Sequence, residues 1–160
     1  MTIQVGDRIP AATLNTLTDG VKTVTTAEIF NARKVVLFSV PGAFTPTCSA
    51  RHLPGYIEHF AALRDRGVDT VACMAVNDAF VMEAWSRTQG APDDLLMLAD
   101  GNAEFTRKLG LELDATGYGM GIRSQRFALV ADDGVVTHLF VEAPGEFSVS
   151  SAEHVLEALG

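Results

Sequence analysis

An α/β fold with a mixed central sheet and helices on both faces is predicted by three features of this 160-residue sequence. Apolar β-branched runs alternate with helical stripes through the middle of the chain. An Asp132-Asp133-Gly134 turn joins two strand-like runs late in it, and no linker, repeat or low-complexity tract divides it.

Taken in order, residues 35–40 read as a buried strand, followed by a long helical pattern from residue 47 to about 66. In that pattern Leu53, Tyr56, Ile57, Phe60 and Leu63 fall at amphipathic spacing. Gly67 is its stop signal, and Pro54-Gly55 its expected kink. Residues 71–76 form the next strand. Asn77 or Asp78 then caps a helix whose expected inner face is Phe80, Val81, Ala84 and Trp85. A short strand at 95–98 and a short helix at 103–109, closed by Gly110, complete the alternation. Residues 127–131 and 135–141 are the hairpin, and Ser150-x-x-Glu153 is a capping box opening the last helix. Ligands of such sheets collect at the carboxyl ends of the strands, which here means the handover from Val40 to Pro41.

With 48% apolar and 20% charged residues, the chain is expected to form one domain, 1–160, with a core that needs no disulfides. A net charge of −8 and the lack of any basic stripe argue against nucleic acid as a partner. The start MTIQVGDRIP lacks the layout of a signal peptide, and no apolar run approaches a membrane span. Two cysteines are too few for a disulfide framework, so a reducing cytoplasm is the expected setting.

The chemistry converges on VPGAFTPTCS, residues 40–49. Cys48 falls in the first turn of the expected helix, where unpaired N–H groups and the dipole favour an anion. An ordinary thiol is only about 3% thiolate at neutral pH, and the thiolate is the nucleophile. Lowering a thiol pKa by two units takes roughly 2.7 kcal/mol. An exposed helix end supplies about 0.3–1 kcal/mol, so a second positive donor is required, and arginine suits the task. Thr45 can reach into the same turn with its hydroxyl, Pro41 shields without an N–H, and Gly42 allows close backbone approach. The alternative is that Cys48 merely fills space at a helix start.

Pro41-x-x-x-Thr45-x-x-Cys48 resembles the active-site signature of the peroxiredoxins. The longer run to Ser49, with His52-Leu53-Pro54-Gly55, is similar to the type II branch, as are Val76-Asn77-Asp78-Ala79-Phe80-Val81, Leu98-Ala99-Asp100-Gly101 and Arg126-Phe127. The likeness covers residues 3 to 158. It implies a thioredoxin-like fold and a thiol peroxidase without cofactor or metal. Cys48 would be the nucleophile that becomes a sulfenic acid, and Thr45 would orient the peroxide and thiolate. Pro41 would shield the site, and Arg126 would stabilise the thiolate and polarise the peroxide, with Arg123 as its competitor. A homodimer is implied as well.

The mammalian representative of that branch carries a resolving cysteine late in the chain. The comparable loop here, residues 142–151, has none. Cys73 is the only other thiol and lies in an apolar strand, so it reads as a core residue. The expectation is a one-cysteine enzyme recycled by glutathione with glutaredoxin, or by thioredoxin. His52, at i,i+4 from Cys48, is expected to adjust the local field or bond to backbone near the pocket mouth. A Cys-His protease would also need an orienting group and an oxyanion hole, and a zinc site more ligands than Cys48, His52 and His59. His59, His138 and His154 read as surface residues. A monothiol disulfide oxidoreductase and a non-enzymatic peroxide sensor or chaperone-like partner remain as alternatives.

Overall fold

The computed structural model describes residues 1–160. In chain order the elements are β1 (Thr13–Leu17), β2 (Val21–Thr25), α1 (Thr26–Phe30), β3 (Lys34–Val40), a π-turn at Cys48–His52, α2 (Leu53–Glu58) and α3 (Phe60–Asp65). Then come β4 (Thr70–Ala75), α4 (Ala79–Gln89), β5 (Leu95–Ala99), α5 (Glu104–Leu109), β6 (Glu112–Asp114), β7 (Ile122–Ser124), β8 (Phe127–Asp132), β9 (Val135–Val141) and α6 (Ala152–Leu159).

Seven strands form one sheet in the order β2-β1-β5-β4-β3-β8-β9. The central pairs β3–β4 and β4–β5 are parallel, while β3–β8, β8–β9, β1–β2 and β1–β5 are antiparallel. The sheet is therefore mixed, as expected. Because side chains alternate along a strand, β3 and β8 send neighbouring residues to opposite faces. Val36, Phe38, Ala128 and Val130 meet Leu53, Tyr56, Leu63, Trp85 and Val155 on one face. Val35, Leu37, Phe127 and Leu129 meet Ile29, Phe30, Phe105 and Leu109 on the other. Helices α2, α3, α4 and α6 thus cover one side and α1 and α5 the other. No helix is long and apolar enough to cross a membrane.

Several expected boundaries shift. The hairpin β1–β2, the helix α1 and the small sheet β6–β7 carry no counterpart in the sequence reading. The long helix expected over 47–66 is three pieces. The chain is regular through Pro54-Gly55, because Pro54 sits at the second position of α2, where a missing N–H has no partner to lose. The breaks lie instead in the π-turn and at His59, whose φ of −97° and ψ of 11° leave the helical region. Asp78, not Asn77, caps α4 by accepting from Val81 N–H at 2.8 Å. The buried face of α4 is Ala79, Met82 and Trp85, and Phe80 points outward at 64% exposure. The last helix is capped by Ser151, which accepts from His154 N–H at 3.2 Å, because the Ser150 hydroxyl is engaged elsewhere. His59, His138 and His154 are half-buried rather than free surface residues. His59 meets Glu153 at 3.0 Å, and the His154 ring stands edge-on to Phe140.

Candidate active site

The site lies at the carboxyl end of β3, where the chain leaves the sheet at Val40 and turns through 41–47 into the π-turn. That loop is pinned on two sides. Ala43 N–H donates to Asn77 Oδ1 at 3.0 Å, and Thr45 N–H and Oγ1 both turn back to the Gly42 carbonyl, at 3.3 and 2.6 Å. Gly42 leaves little room for a side chain: a Cβ there would lie 3.1 Å from Thr45 Cγ2 and 3.2 Å from Arg123 Nη1. Phe44 takes a left-handed φ of 65°, a strained position for an aromatic residue.

The π-turn follows from Pro54. An α-helix continuing from Cys48 would need residue 54 to donate to the Ala50 carbonyl, and proline has no N–H. Leu53 N–H bonds instead to the Cys48 carbonyl, five residues back. Leu53 and Tyr56 are fully buried just beyond it, so the packing of α2 holds the turn in place. Both Cys48 and His52 face inward with no exposed surface.

Arg126, directly before β8, joins the two. Its Nη2 donates to Cys48 Sγ at 3.0 Å, and its Nη1 donates to His52 Nδ1 at 2.8 Å. A guanidinium has no acceptor, so Nδ1 must carry the lone pair. The proton therefore sits on Nε2, which donates to the Ser150 carbonyl at 3.1 Å. Burial and the neighbouring Arg126 charge push the His52 pKa down to about 3, so the imidazole is neutral at any physiological pH. Neutrality matters, since an imidazolium would repel Arg126 and offer it no acceptor. Phe147 stands edge-on to His52 at 5.0 Å, with Arg126 5.9 Å and Arg51 4.7 Å from its ring centre.

The other expected site residues divide. Pro41 lines a pocket of about 520 Å³ together with Thr47, Gln125, Arg126 and Tyr118. The Thr45 hydroxyl donates to Gly42, not to Cys48, so its oxygen is left as an acceptor. Arg123 lies over the Gly42 loop, with Nε donating to the Met120 carbonyl at 2.8 Å, and is not hydrogen-bonded to Cys48. Both thiols are free and buried. Burial, then proximity to Cys48, pushes the Cys73 pKa well above the ordinary thiol value, so it is held as a thiol. His52 does bond to backbone, as the sequence suggested, but deep inside rather than at a pocket mouth. The roles of Ser150 and Phe147 carried no sequence signal, because they reach the site across about a hundred residues of chain.

A buried thiol under a guanidinium, at the end of a central strand of a mixed sheet, is an arrangement suited to thiol redox chemistry. The sequence matches the Redoxin family over residues 4–156. It is 56% identical to Peroxiredoxin-2E-2, chloroplastic, of Oryza sativa subsp. japonica, over 99% of this chain and 73% of that protein. It is 48% identical to Peroxiredoxin-2B of Arabidopsis thaliana over 98% of both. Among solved structures, reduced Prx3 from Vibrio vulnificus in complex with H2O2 superposes with a TM-score of 0.96 at 54% identity, covering 99% of this chain and 100% of that one. The chain belongs to the peroxiredoxins and is similar to their type II members. It is a thiol peroxidase.

Proposed function

We propose that Cys48 is the residue that attacks the peroxide, within a single peroxiredoxin domain spanning 1–160. The observation that carries the reading is the Arg126 Nη2–Cys48 Sγ contact of 3.0 Å. The guanidinium places a permanent positive charge and an N–H donor on the sulfur, and its planar donor array also suits a peroxide oxygen. The sulfur lone pair attacks one peroxide oxygen, the O–O bond breaks and an S–O bond forms. The departing alkoxide or hydroxide takes a proton and leaves as alcohol or water, and Cys48 becomes a sulfenic acid, oxidised by two electrons. Thr45, its hydrogen committed to Gly42, accepts the peroxide O–H and so orients the substrate. Pro41 screens the reacting atoms from water. Hydrogen peroxide and alkyl hydroperoxides both fit this scheme.

Recycling is assigned to an outside thiol. It condenses with the sulfenic acid, releasing water, and a second thiol then reduces the mixed disulfide. The loop 142–151 has no cysteine, and Cys73 is buried in β4. The pocket beside Arg126, about 520 Å³, is of small-molecule size, which favours glutathione with glutaredoxin over direct attack by thioredoxin. Two free thiols suit a reducing compartment such as the cytoplasm. A homodimer is supported by Phe44 and Phe80, exposed at 53% and 64%. The bond from Ala43 to Asn77 brings the loop of the first next to the start of the helix that carries the second.

The test is single-turnover reaction with hydrogen peroxide, followed by steady-state turnover with glutathione and glutaredoxin or with thioredoxin. Cys48→Ser abolishes the single-turnover signal, and Cys73→Ala retains both phases. An equal rate in Cys48→Ser sinks the assignment; a collapse of turnover in Cys73→Ala makes Cys73 the resolving thiol. Consumption of one equivalent without turnover would make the chain a sensor.

A further inference from the structure

The Arg126 side chain must be held at both ends to keep Nη2 on Cys48, and one carboxylate lies at the junction of both restraints. Glu142 follows β9 directly. Its N–H donates to the Arg126 carbonyl at 3.0 Å, continuing the β8–β9 ladder and fixing the arginine backbone. Its side chain is buried at 7% exposure, and Oε2 gathers three donors: Ser148 N–H at 2.7 Å, Ser150 N–H at 2.8 Å and Ser150 Oγ at 2.7 Å. That grip orients the Ser150 carbonyl, which accepts from both Tyr56 Oη at 2.8 Å and His52 Nε2 at 3.1 Å. His52 Nδ1 is then turned to Arg126 Nη1. Although Glu142 neighbours Arg126, it forms no ion pair with it; the ion pairs of the protein lie at His59, Arg87 and Lys108. The guanidinium charge is left for Cys48.

We infer that Glu142 is a positioning residue for the peroxidatic site, acting through Ser150 and His52 to aim Arg126 at Cys48. The inference rests on the reading of Cys48 as the reacting thiol. Burial works against the carboxylate, but the bonds from Ser150 and Ser148 outweigh it, and the Glu142 pKa lies below its usual value. The acceptor array is therefore intact at neutral pH. A purely structural role would lower stability without changing the ionisation of the site. A positioning role changes it, because a loosened His52 gains water and a proton. The groups facing His52 are Arg126, Glu142 and Tyr56, with Cys48 beyond the Arg126 guanidinium and Arg51 across the Phe147 ring.

The experiment measures two rates against pH, from about 4.5 to 8 to bracket an ordinary histidine: alkylation of Cys48 by iodoacetamide and its oxidation by hydrogen peroxide. Wild type, Glu142→Ala and Glu142→Gln are compared in full-length protein. In Glu142→Ala both rates at neutral pH fall by about 10- to 100-fold, the scale of a misplaced catalytic group. A further acid limb appears near pH 6, as His52 protonates and ceases to accept from Arg126. Glu142→Gln keeps an acceptor oxygen for the same three donors and restores both rates without the acid limb. A folded Glu142→Ala with wild-type rates and profile overturns the inference, as do equal losses in the Ala and Gln variants. Should Glu142→Ala fail to fold by circular dichroism, Glu142→Asp decides: its charge is kept but its reach shortened, so lost rates with an acid limb support the role and a wild-type profile overturns it. A wild type that is alkylated but consumes no peroxide overturns the peroxidase reading instead, and the alkylation profiles still decide on Glu142.

Discussion

Arg126 and Arg123 stand three residues apart, yet only one guanidinium meets sulfur. Arg126 Nη2 lies 3.0 Å from Cys48 Sγ, whereas Arg123 is turned to the Met120 carbonyl and the Gly42 loop. Donors aimed at developing charge typically contribute about 10²–10³ in rate when removed singly. Arg126→Ala is therefore expected to slow peroxide reaction by about that factor, and Arg123→Ala by less than about tenfold, its effect confined to the loop. Trp85, the only tryptophan, donates to Ser49 Oγ at 3.0 Å beside Cys48 and gives a fluorescence signal for stopped-flow measurement. A larger loss in Arg123→Ala would reverse the assignment. At this scale the motif Pro41 to Cys48 was legible because its residues are close in sequence and chemically specific. His52 was visible only as an i,i+4 neighbour. Its tautomer depends on Ser150, 98 residues away, and on Arg126, which no local pattern reveals.

Elements with a dense apolar run were legible, and short ones with a sparse apolar pattern were missed. Strands β3, β4 and β8 are continuous apolar runs because both faces are covered, and their expected bounds lie within a residue or so of the observed ones. The β1–β2 hairpin sets Thr13, Asn15, Lys22 and Thr23 among only a few apolar residues, so it reads as loop. The capping box at Ser150 failed for a tertiary reason: Glu142 claims the Ser150 hydroxyl, and the cap passes to Ser151. The sequence suggests a kink at Pro54 within a helix, but the proline's effect falls one turn earlier, in the π-turn that carries Cys48. Pro54→Ala supplies the missing N–H and lets the turn close as α-helix onto Ala50. The expected result is unchanged or slightly higher stability, since Ala exceeds Pro in helix propensity by about 3 kcal/mol in a helix interior and far less near its start. Peroxide reactivity falls by about 10-fold or more, as Sγ shifts relative to Arg126. Thermal unfolding and single-turnover kinetics on the same sample separate the two effects; retained reactivity would show that the π-turn is incidental to catalysis.

For the whole molecule, the buried network makes stability depend on acid. His52 is fully buried, and its pKa is pushed down to about 3 in the folded chain by burial and by Arg126, against an ordinary value of about 6.5 when unfolded. Between those values the unfolded chain binds a proton that the folded chain refuses, so stability rises with pH across that window and is lost as pH falls through it. At pH 5 the unfolded state gains about 1.5 pH units of protonation free energy, or about 2 kcal/mol. Glu142, whose pKa is lowered in the fold, acts in the same direction further into acid, as its carboxylate protonates and releases Ser148 and Ser150. The denaturant midpoint, measured at one protein concentration so that any self-association is constant, is therefore expected to fall between pH 7 and pH 5. His52→Gln removes the imidazole and should flatten that slope even where it lowers stability at pH 7. The comparison isolates the histidine because every other titratable residue is present in both proteins. A midpoint independent of pH over this range in the wild type would mean that His52 reaches water in the folded chain. The neutral imidazole that Arg126 requires would then not be held by the fold.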